Sequence, residues 1–182
     1  EGDWDGLYGG AGDDVLSGGI GNDDLTGGAG EDIVRGEEGD DIINWSAGDD
    51  SDSWISGGSE EDNFIVDASS VNEYIFLSTT SMTSSSMSIN NPEGGTLALS
   101  QPSLGTSVGF WDISSNTDTS RNPDAFVAAT GMENYSLNAG GGADRIEVND
   151  LDGSGVSNVT IDVGVATHLE TKLIYEKLSD GV

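Results

Sequence analysis

Asp14, Asp23, Asp32, Asp41 and Asp50 recur nine residues apart. Carboxylates at a fixed spacing suit either acid–base chemistry in close pairs or the binding of a hard cation through oxygen. Their surroundings favour the second. Written from Gly9 in nines, the chain reads GGAGDDVLS, GGIGNDDLT, GGAGEDIVR, GEEGDDIIN and WSAGDDSDS. Each Asp is at position six, behind a Gly at position four. Position eight is Leu16, Leu25, Val34 and Ile43, and then fails at Asp52. Upstream, Asp5 and Leu7 fit the tail of an earlier copy. After three extra residues, GGSEEDNFIV restores the pattern with Asp62 and Phe64, with Glu60 in place of the position-four Gly.

The elements that must position these carboxylates follow from the same nine letters. One aliphatic per unit cannot make a core alone, but stacked units pile the position-eight side chains into a thin continuous one. The residues ahead of each short strand must then turn sharply, and Gly at positions one, two and four tolerates positive φ and close backbone approach. Turns this tight aim carbonyl oxygens inward. With one Asp per turn, each gap between stacked turns becomes a set of carbonyl and carboxylate oxygens, which suits Ca²⁺ at ~2.3–2.6 Å better than the stricter octahedron of Mg²⁺. The chain has no Cys and one His, His168, which argues against zinc and copper.

Composition states the problem that a cation would solve. The 182 residues carry 34 Asp and Glu against 5 Lys and Arg, a formal net charge of −29, with 28 Gly and 34% hydrophobic residues. Low hydrophobicity with high net charge leaves a chain unfolded unless its self-repulsion is neutralised. Residues 1–66 concentrate the charge, with 19 acids and one Arg. Nucleic acid is excluded as a partner because phosphate binding needs a basic surface. No apolar run approaches the ~20 residues of a membrane span. With Glu1 at its start and KLSDGV at its end, the chain reads as an internal piece of something longer.

Beyond the repeats, residues 67–182 read as short strands divided by Gly, Pro, Asn and Ser turns. DNFIVD, NEYIFLS, TLALS, SVGFWDIS, AFVAA, NYSLN, RIEVN and SNVTIDV are the strand candidates. THLETKLIYEKL, residues 167–178, fits a helix or a strand and is read as a strand. LNAGGGADRIEVNDLDGSG, residues 137–155, echoes the repeat, with Asp144 and Ile146 in the expected relation and a second Gly/Asp turn near 139–149.

The register of residues 9–52 resembles the calcium-binding nonapeptide of RTX (repeats-in-toxin) proteins, G-G-x-G-x-D-x-U-x. The resemblance implies a right-handed parallel β-roll with two nonapeptides per coil, same-side loops 18 residues apart and calcium between them. It implies ligands from carbonyls at positions two and four plus the Asp of the lower loop, and from carbonyls at positions one and three plus the Asp of the upper. Carried onto this sequence, one site uses Gly10, Gly12 and Asp14 with Gly27, Ala29 and Asp32. A second uses Gly19, Gly21 and Asp23 with Gly36, Glu38 and Asp41. A third pairs Gly28, Gly30 and Asp32 with Trp45, Ala47 and Asp50, although Trp45 and Ser46 stand where the Gly pair should be. Two further pairs are Asp5 with Gly18, Ile20 and Asp23, and Asp41 with Asp62 across the three-residue insertion. This implies about three to five calcium ions. GMENYSLNAGGGADRIEVNDLDGSGVSNVTIDVG, residues 131–164, resembles a strand–turn–strand unit of large bacterial RTX-type surface and secreted proteins.

Other motifs read as structure. DLDGSG from Asp150 opens like an EF-hand loop, but its twelfth position is Ile161 where Glu is needed, which favours a plain turn. GTSVG around Ser107 matches the hydrolase nucleophile pattern without the α/β context or a nearby His, so Ser107 reads as a strand or turn residue. Trp4, Trp45, Trp54 and Trp111 read as covers for a thin solenoid in preference to a sugar platform.

The sequence therefore predicts an all-β protein: a parallel β-roll over residues 1–66, then a β-rich segment over 67–182 that a β-solenoid would accommodate. It predicts a non-enzymatic, calcium-binding structural module, extracellular by resemblance. An adhesin or self-assembling surface segment, and the non-catalytic tail of a secreted enzyme, are the alternatives. The expected partners are calcium ions and other copies or neighbouring repeats.

Overall fold

The computed structural model describes residues 2–46, 54–68, 73–80, 87–90, 96–99, 105–112, 125–142, 144–148, 151, 154–164 and 172–175. No helix occurs among them. The first seven strands are β1 (Gly6–Ala11), β2 (Val15–Ile20), β3 (Asp24–Ala29), β4 (Ile33–Glu38), β5 (Ile42–Ser46), β6 (Trp54–Ser59) and β7 (Asn63–Asp67). They alternate between two sheets: β1, β3, β5 and β7 are parallel neighbours on one face, and β2, β4 and β6 on the other. Two nonapeptides thus make one coil of a β-solenoid, as expected of a β-roll.

The register follows from the single aliphatic in each unit. Leu7 lies opposite Leu25, Leu25 opposite Ile43 and Leu16 opposite Val34, each 18 residues on. Leu25, Val34, Ile43, Ile55 and Phe64 are fully buried in one continuous core. A strand has period two, so slipping this register by one residue would turn the aliphatics out to water.

Between β5 and β6 the step changes. Val34 pairs with Ile55, so the register here is 21, and Ile55 fills the core place that strict nine-residue counting gives to Asp52. The extra residues fall before the strand because an aliphatic has to land on Val34. Trp45 is buried, stacked on Phe64 with ring centroids 6.5 Å apart, and Phe64 meets Tyr135 edge to face at 5.6 Å.

The remaining strands are β8 (Glu73–Thr80), β9 (Met87–Asn90), β10 (Thr96–Leu99), β11 (Gly105–Asp112), β12 (Ala125–Thr130), β13 (Asn134–Asn138), β14 (Arg145–Val148), β15 (Asn158–Asp162) and β16 (Lys172–Tyr175). Each of the eight strand candidates overlaps a strand, and within residues 167–178 Lys172–Tyr175 is a strand as well. β9 was not foreseen; it forms an antiparallel pair with β10.

The two sheets continue past the repeats. One runs β1-β3-β5-β7-β13-β15, parallel throughout. The other runs β16-β14-β8-β11-β12-β6-β4-β2. Here β11 sits antiparallel between β8 and β12, while β12 is parallel to β6 and β14 to β8. The chain therefore leaves the solenoid after β7, adds two antiparallel strands, and returns so that β12 and β13 lie on β6 and β7.

Candidate metal centre

The loops that join the two faces stack along one side of each sheet. In each, the carboxylate at position six points inward. Asp23, Asp32, Asp41 and Asp62 are buried and Asp14 is half-buried. One carboxylate oxygen has a defined partner one coil below. The N–H of Asp5 donates to Asp23 Oδ1 at 2.7 Å, that of Asp14 to Asp32 Oδ1 at 2.8 Å, and that of Asp23 to Asp41 Oδ1 at 2.8 Å. The N–H of Asp41 donates to Asp62 Oδ1 at 2.9 Å in spite of the insertion. The expected partners along the chain are thus brought together: Asp5 with Asp23, Asp14 with Asp32, Asp23 with Asp41, and Asp41 with Asp62.

A second, solvent-facing ladder at position five runs the other way. Here the upper loop donates to the lower side chain: Glu31 N–H to Asp13 Oδ1, Asp40 N–H to Asn22 Oδ1 and Glu61 N–H to Asp40 Oδ1, each at 3.1 Å.

The other carboxylate oxygen is the informative one. Oδ2 of Asp14, Asp23, Asp41 and Asp62 is buried and accepts no hydrogen bond. A carboxylate oxygen removed from water without a partner costs several kcal/mol or gives up its charge. Burial duly pushes the carboxyl of Asp41 upward and that of Asp62 up to about 7.

What faces these oxygens is carbonyl. A Cβ placed on Gly9 would lie 2.5 Å from the Gly27 carbonyl oxygen and 2.9 Å from Asp14 Oδ2. On Gly18 it would meet Asp23 Oδ2 and the Gly36 oxygen, and on Gly36 it would meet Asp41 Oδ2 and the Gly57 oxygen. From the lower loops, the oxygens of Gly10, Gly12 and Gly21 abut Gly28, Gly30 and Gly39 of the coil above. Gly19 lies opposite Glu37 and Ile20 opposite Glu38. Ala29 and Glu38 accept the N–H of Gly12 and Gly21 at 2.7 and 2.8 Å, which leaves each carbonyl a second lone pair.

The glycines divide their work by position. At position one, Gly9, Gly18 and Gly36 leave open the space between carboxylate and carbonyl that a side chain would fill. Positions two and four need positive φ, from 101° at Gly28 to 140° at Gly21. Glu37 at position two and Glu60 at position four adopt the same twist, with φ of 87° and 83°.

Among the described residues, no three Asp, Glu or His side chains converge on one point. The oxygens that meet each carboxylate come from the main chain instead. An all-oxygen set with an unpartnered buried carboxylate in every coil fits a calcium ion. In the third expected site, Trp45 is a core residue of β5, while Ala47 and Asp50 lie outside the described residues.

The remaining motifs have plain roles. Ser107 lies in β11 between two antiparallel neighbours. Ser154 Oγ donates to the Leu151 carbonyl at 2.6 Å and accepts the Val156 N–H at 3.1 Å. Asp150, Asp152 and His168 lie outside the described residues, and Asp144 is buried next to Ile146 of the core.

Gly9 was read as a position-one turn residue without a place in a site, and the turn that follows β12 escaped the sequence reading. The signal for the latter was present: Asp62-Asn63-Phe64 in β7 is matched by Glu133-Asn134-Tyr135 in β13.

No curated protein and no solved structure matches the chain. Residues 8–43 and 17–52 match the family model of the RTX calcium-binding nonapeptide repeat in four copies. Over residues 8–52 the chain is thus similar to RTX calcium-binding nonapeptide repeats, and the coil geometry agrees with that match.

Proposed function

We propose that this chain is a calcium-dependent structural module of a secreted or cell-surface protein, folding when it meets calcium outside the cell. Residues 1–66 are the calcium-binding roll, and residues 67–182 are a β-rich extension that carries no catalysis. Asp14, Asp23, Asp32 and Asp41, with the carbonyls of Gly10, Gly12, Gly19, Gly21, Gly27, Ala29, Gly36 and Glu38, are the central ligands. Gly28 and Gly30 with Trp45, Ala47 and Asp50, Asp5 with Gly18 and Ile20, and Asp62 complete the set.

One observation carries the reading: a buried, unpartnered Asp Oδ2 recurs coil after coil, each against a carbonyl oxygen of the next. Without cations these charges repel in a chain of formal charge −29. With them, binding free energy becomes folding free energy. Circular dichroism during a calcium titration, followed by chelation, tests it. The β signal should appear with calcium and vanish with chelator, and equal spectra in both states would end the proposal.

A role in end-to-end assembly has one supporting feature. β1 and β2 are the end strands of their sheets on the same side of the stack, and Trp4, Tyr8, Val15 and Ile20 are exposed there. Edges of this kind accept a further coil, from the same longer chain or from another copy. Calcium-dependent growth in scattering mass, abolished by charged substitutions at Val15 and Ile20, would support it, and a monodisperse monomer would remove it.

A further inference from the structure

The carboxylate ladder does not stop at the last nonapeptide. β12 and β13 lie on β6 and β7 with Thr130 opposite Ser56 and Asn134 opposite Asn63. The turn between them, Gly131-Met132-Glu133, is therefore stacked on the loop Gly57–Asp62, although 71 residues separate Asp62 from Glu133. The Asp62 N–H donates to Glu133 Oε2 at 3.0 Å, the same bond that the amides of Asp5, Asp14, Asp23 and Asp41 make to the Asp of the coil above. In the following coil Ser157 precedes Asn158, the partner of Asn134, so the acid series ends at Glu133.

The oxygens repeat too. A Cβ on Gly57 would meet Asp62 Oδ2 and the carbonyl oxygen of Gly131, as one on Gly36 meets Asp41 Oδ2 and the oxygen of Gly57. The Gly58 oxygen approaches from the lower loop, 3.0 Å from where Gly131, at φ 60°, would carry a Cβ. Asp62 is fully buried and its Oδ2 accepts nothing. The turn is pinned from above as well, since Ser157 N–H donates to the Glu133 carbonyl at 2.7 Å.

We propose that a calcium ion binds at this junction, held by the carboxylates of Asp62 and Glu133 and the carbonyls of Gly58 and Gly131. It ties the returning strands β12 and β13 to the end of the repeat stack. The site lies beyond residues 8–52 and uses a turn that is not a nonapeptide. It rests on the reading that the buried Oδ2 atoms face calcium.

Isothermal titration calorimetry of the full chain with calcium tests it, wild type against Glu133→Gln. Gln keeps an oxygen for the Asp62 amide and loses only the charge. The variant should bind one ion fewer per chain, with its other sites unchanged. Equal stoichiometry and affinity would overturn the junction site and leave the repeat sites standing, whereas a wild-type chain that binds no calcium would overturn both. Should the variant not fold, a crystal structure of the calcium-loaded wild type decides. Density beside Asp62 Oδ2 supports the site, and its absence there with ions in the repeat loops overturns it.

Discussion

The N–H of Asp14 donates to Oδ1 of Asp32, 2.8 Å away and one coil up. Residues adjacent in the repeat are therefore not adjacent in the site: Asp14 meets Asp32, and Asp23 meets Asp41 on the opposite side. Asp23, Asp41 and Asp62 each spend Oδ1 on an amide of the coil below and turn Oδ2 toward a carbonyl of the coil above.

Exchanging acids at positions five and six separates the two ladders. Asp23→Asn keeps an acceptor but removes the buried charge, and should weaken calcium-dependent folding about tenfold or more. Asp13→Asn, on the exposed ladder, should shift the midpoint by less than about threefold, as expected of a screened surface group. Circular dichroism against calcium concentration reads both, and equal shifts would refute the division.

Glycine positions one and two should fail differently. Gly18→Ala puts a methyl between Asp23 Oδ2 and the Gly36 carbonyl, so calorimetry should show a lost calcium site. Around Gly19 there is open space within 4 Å, but its φ is 104°. Gly19→Ala should cost about 1–2 kcal/mol of stability and keep the number of ions bound.

Glu37 holds a φ of 87° at a position where its counterparts are Gly. Its side chain accepts the Ser17 Oγ hydrogen bond at 2.5 Å at the surface, where such a bond contributes little. Glu37→Gly should therefore stabilise the calcium-loaded chain by about 1 kcal/mol, less whatever the unfolded chain gains in entropy. Thermal melts in saturating calcium check the sign.

The response to pH should reverse with calcium. Burial raises the Asp62 carboxyl from 3.8 to about 7 in the folded chain, and raises Asp41 as well. A folded pKa above the unfolded one adds stability that is complete below 3.8 and lost as pH rises through about 7. Any β signal that the metal-free protein keeps at acid pH should thus be lost as pH increases over that window, which circular dichroism in chelator reads. With calcium the cation takes the proton's place, so affinity should rise over the same window. Metal-free stability that increases with pH would contradict the burial of these oxygens.

Much of the roll was legible because its signal is periodic. Leu16, Leu25, Val34 and Ile43 gave the core, and the Asp series gave the pairing of coils. The count broke where the protein broke its own period: nine-residue steps lead to Asp52, while the sheet requires Ile55 opposite Val34. Trp45 looked like a spoiled turn and is a core side chain instead. Farther on, EYIFLS and GFWD were readable as strands, but not that β11 would sit antiparallel between β8 and β12, since partner choice is made across long stretches of chain. Met87–Asn90 alternates apolar and polar over only four residues within a Ser-rich run, too short a signal to be read as a strand. Glu133 was hidden for the same reason as the strand order. Its neighbour Asp62 is 71 residues away, and only the match of two acid-Asn-aromatic triplets hints at it.

The counter-running ladders make the stack directional. Buried amides are capped only from the C-terminal side, and exposed ones only from the N-terminal side. Cutting a coil from the N-terminal end uncaps amides that water can serve. Cutting one from the C-terminal end strips a carboxylate from an amide sealed in the interior. Trimming the two ends is therefore unequal, and losing a coil costs more at the C-terminal end.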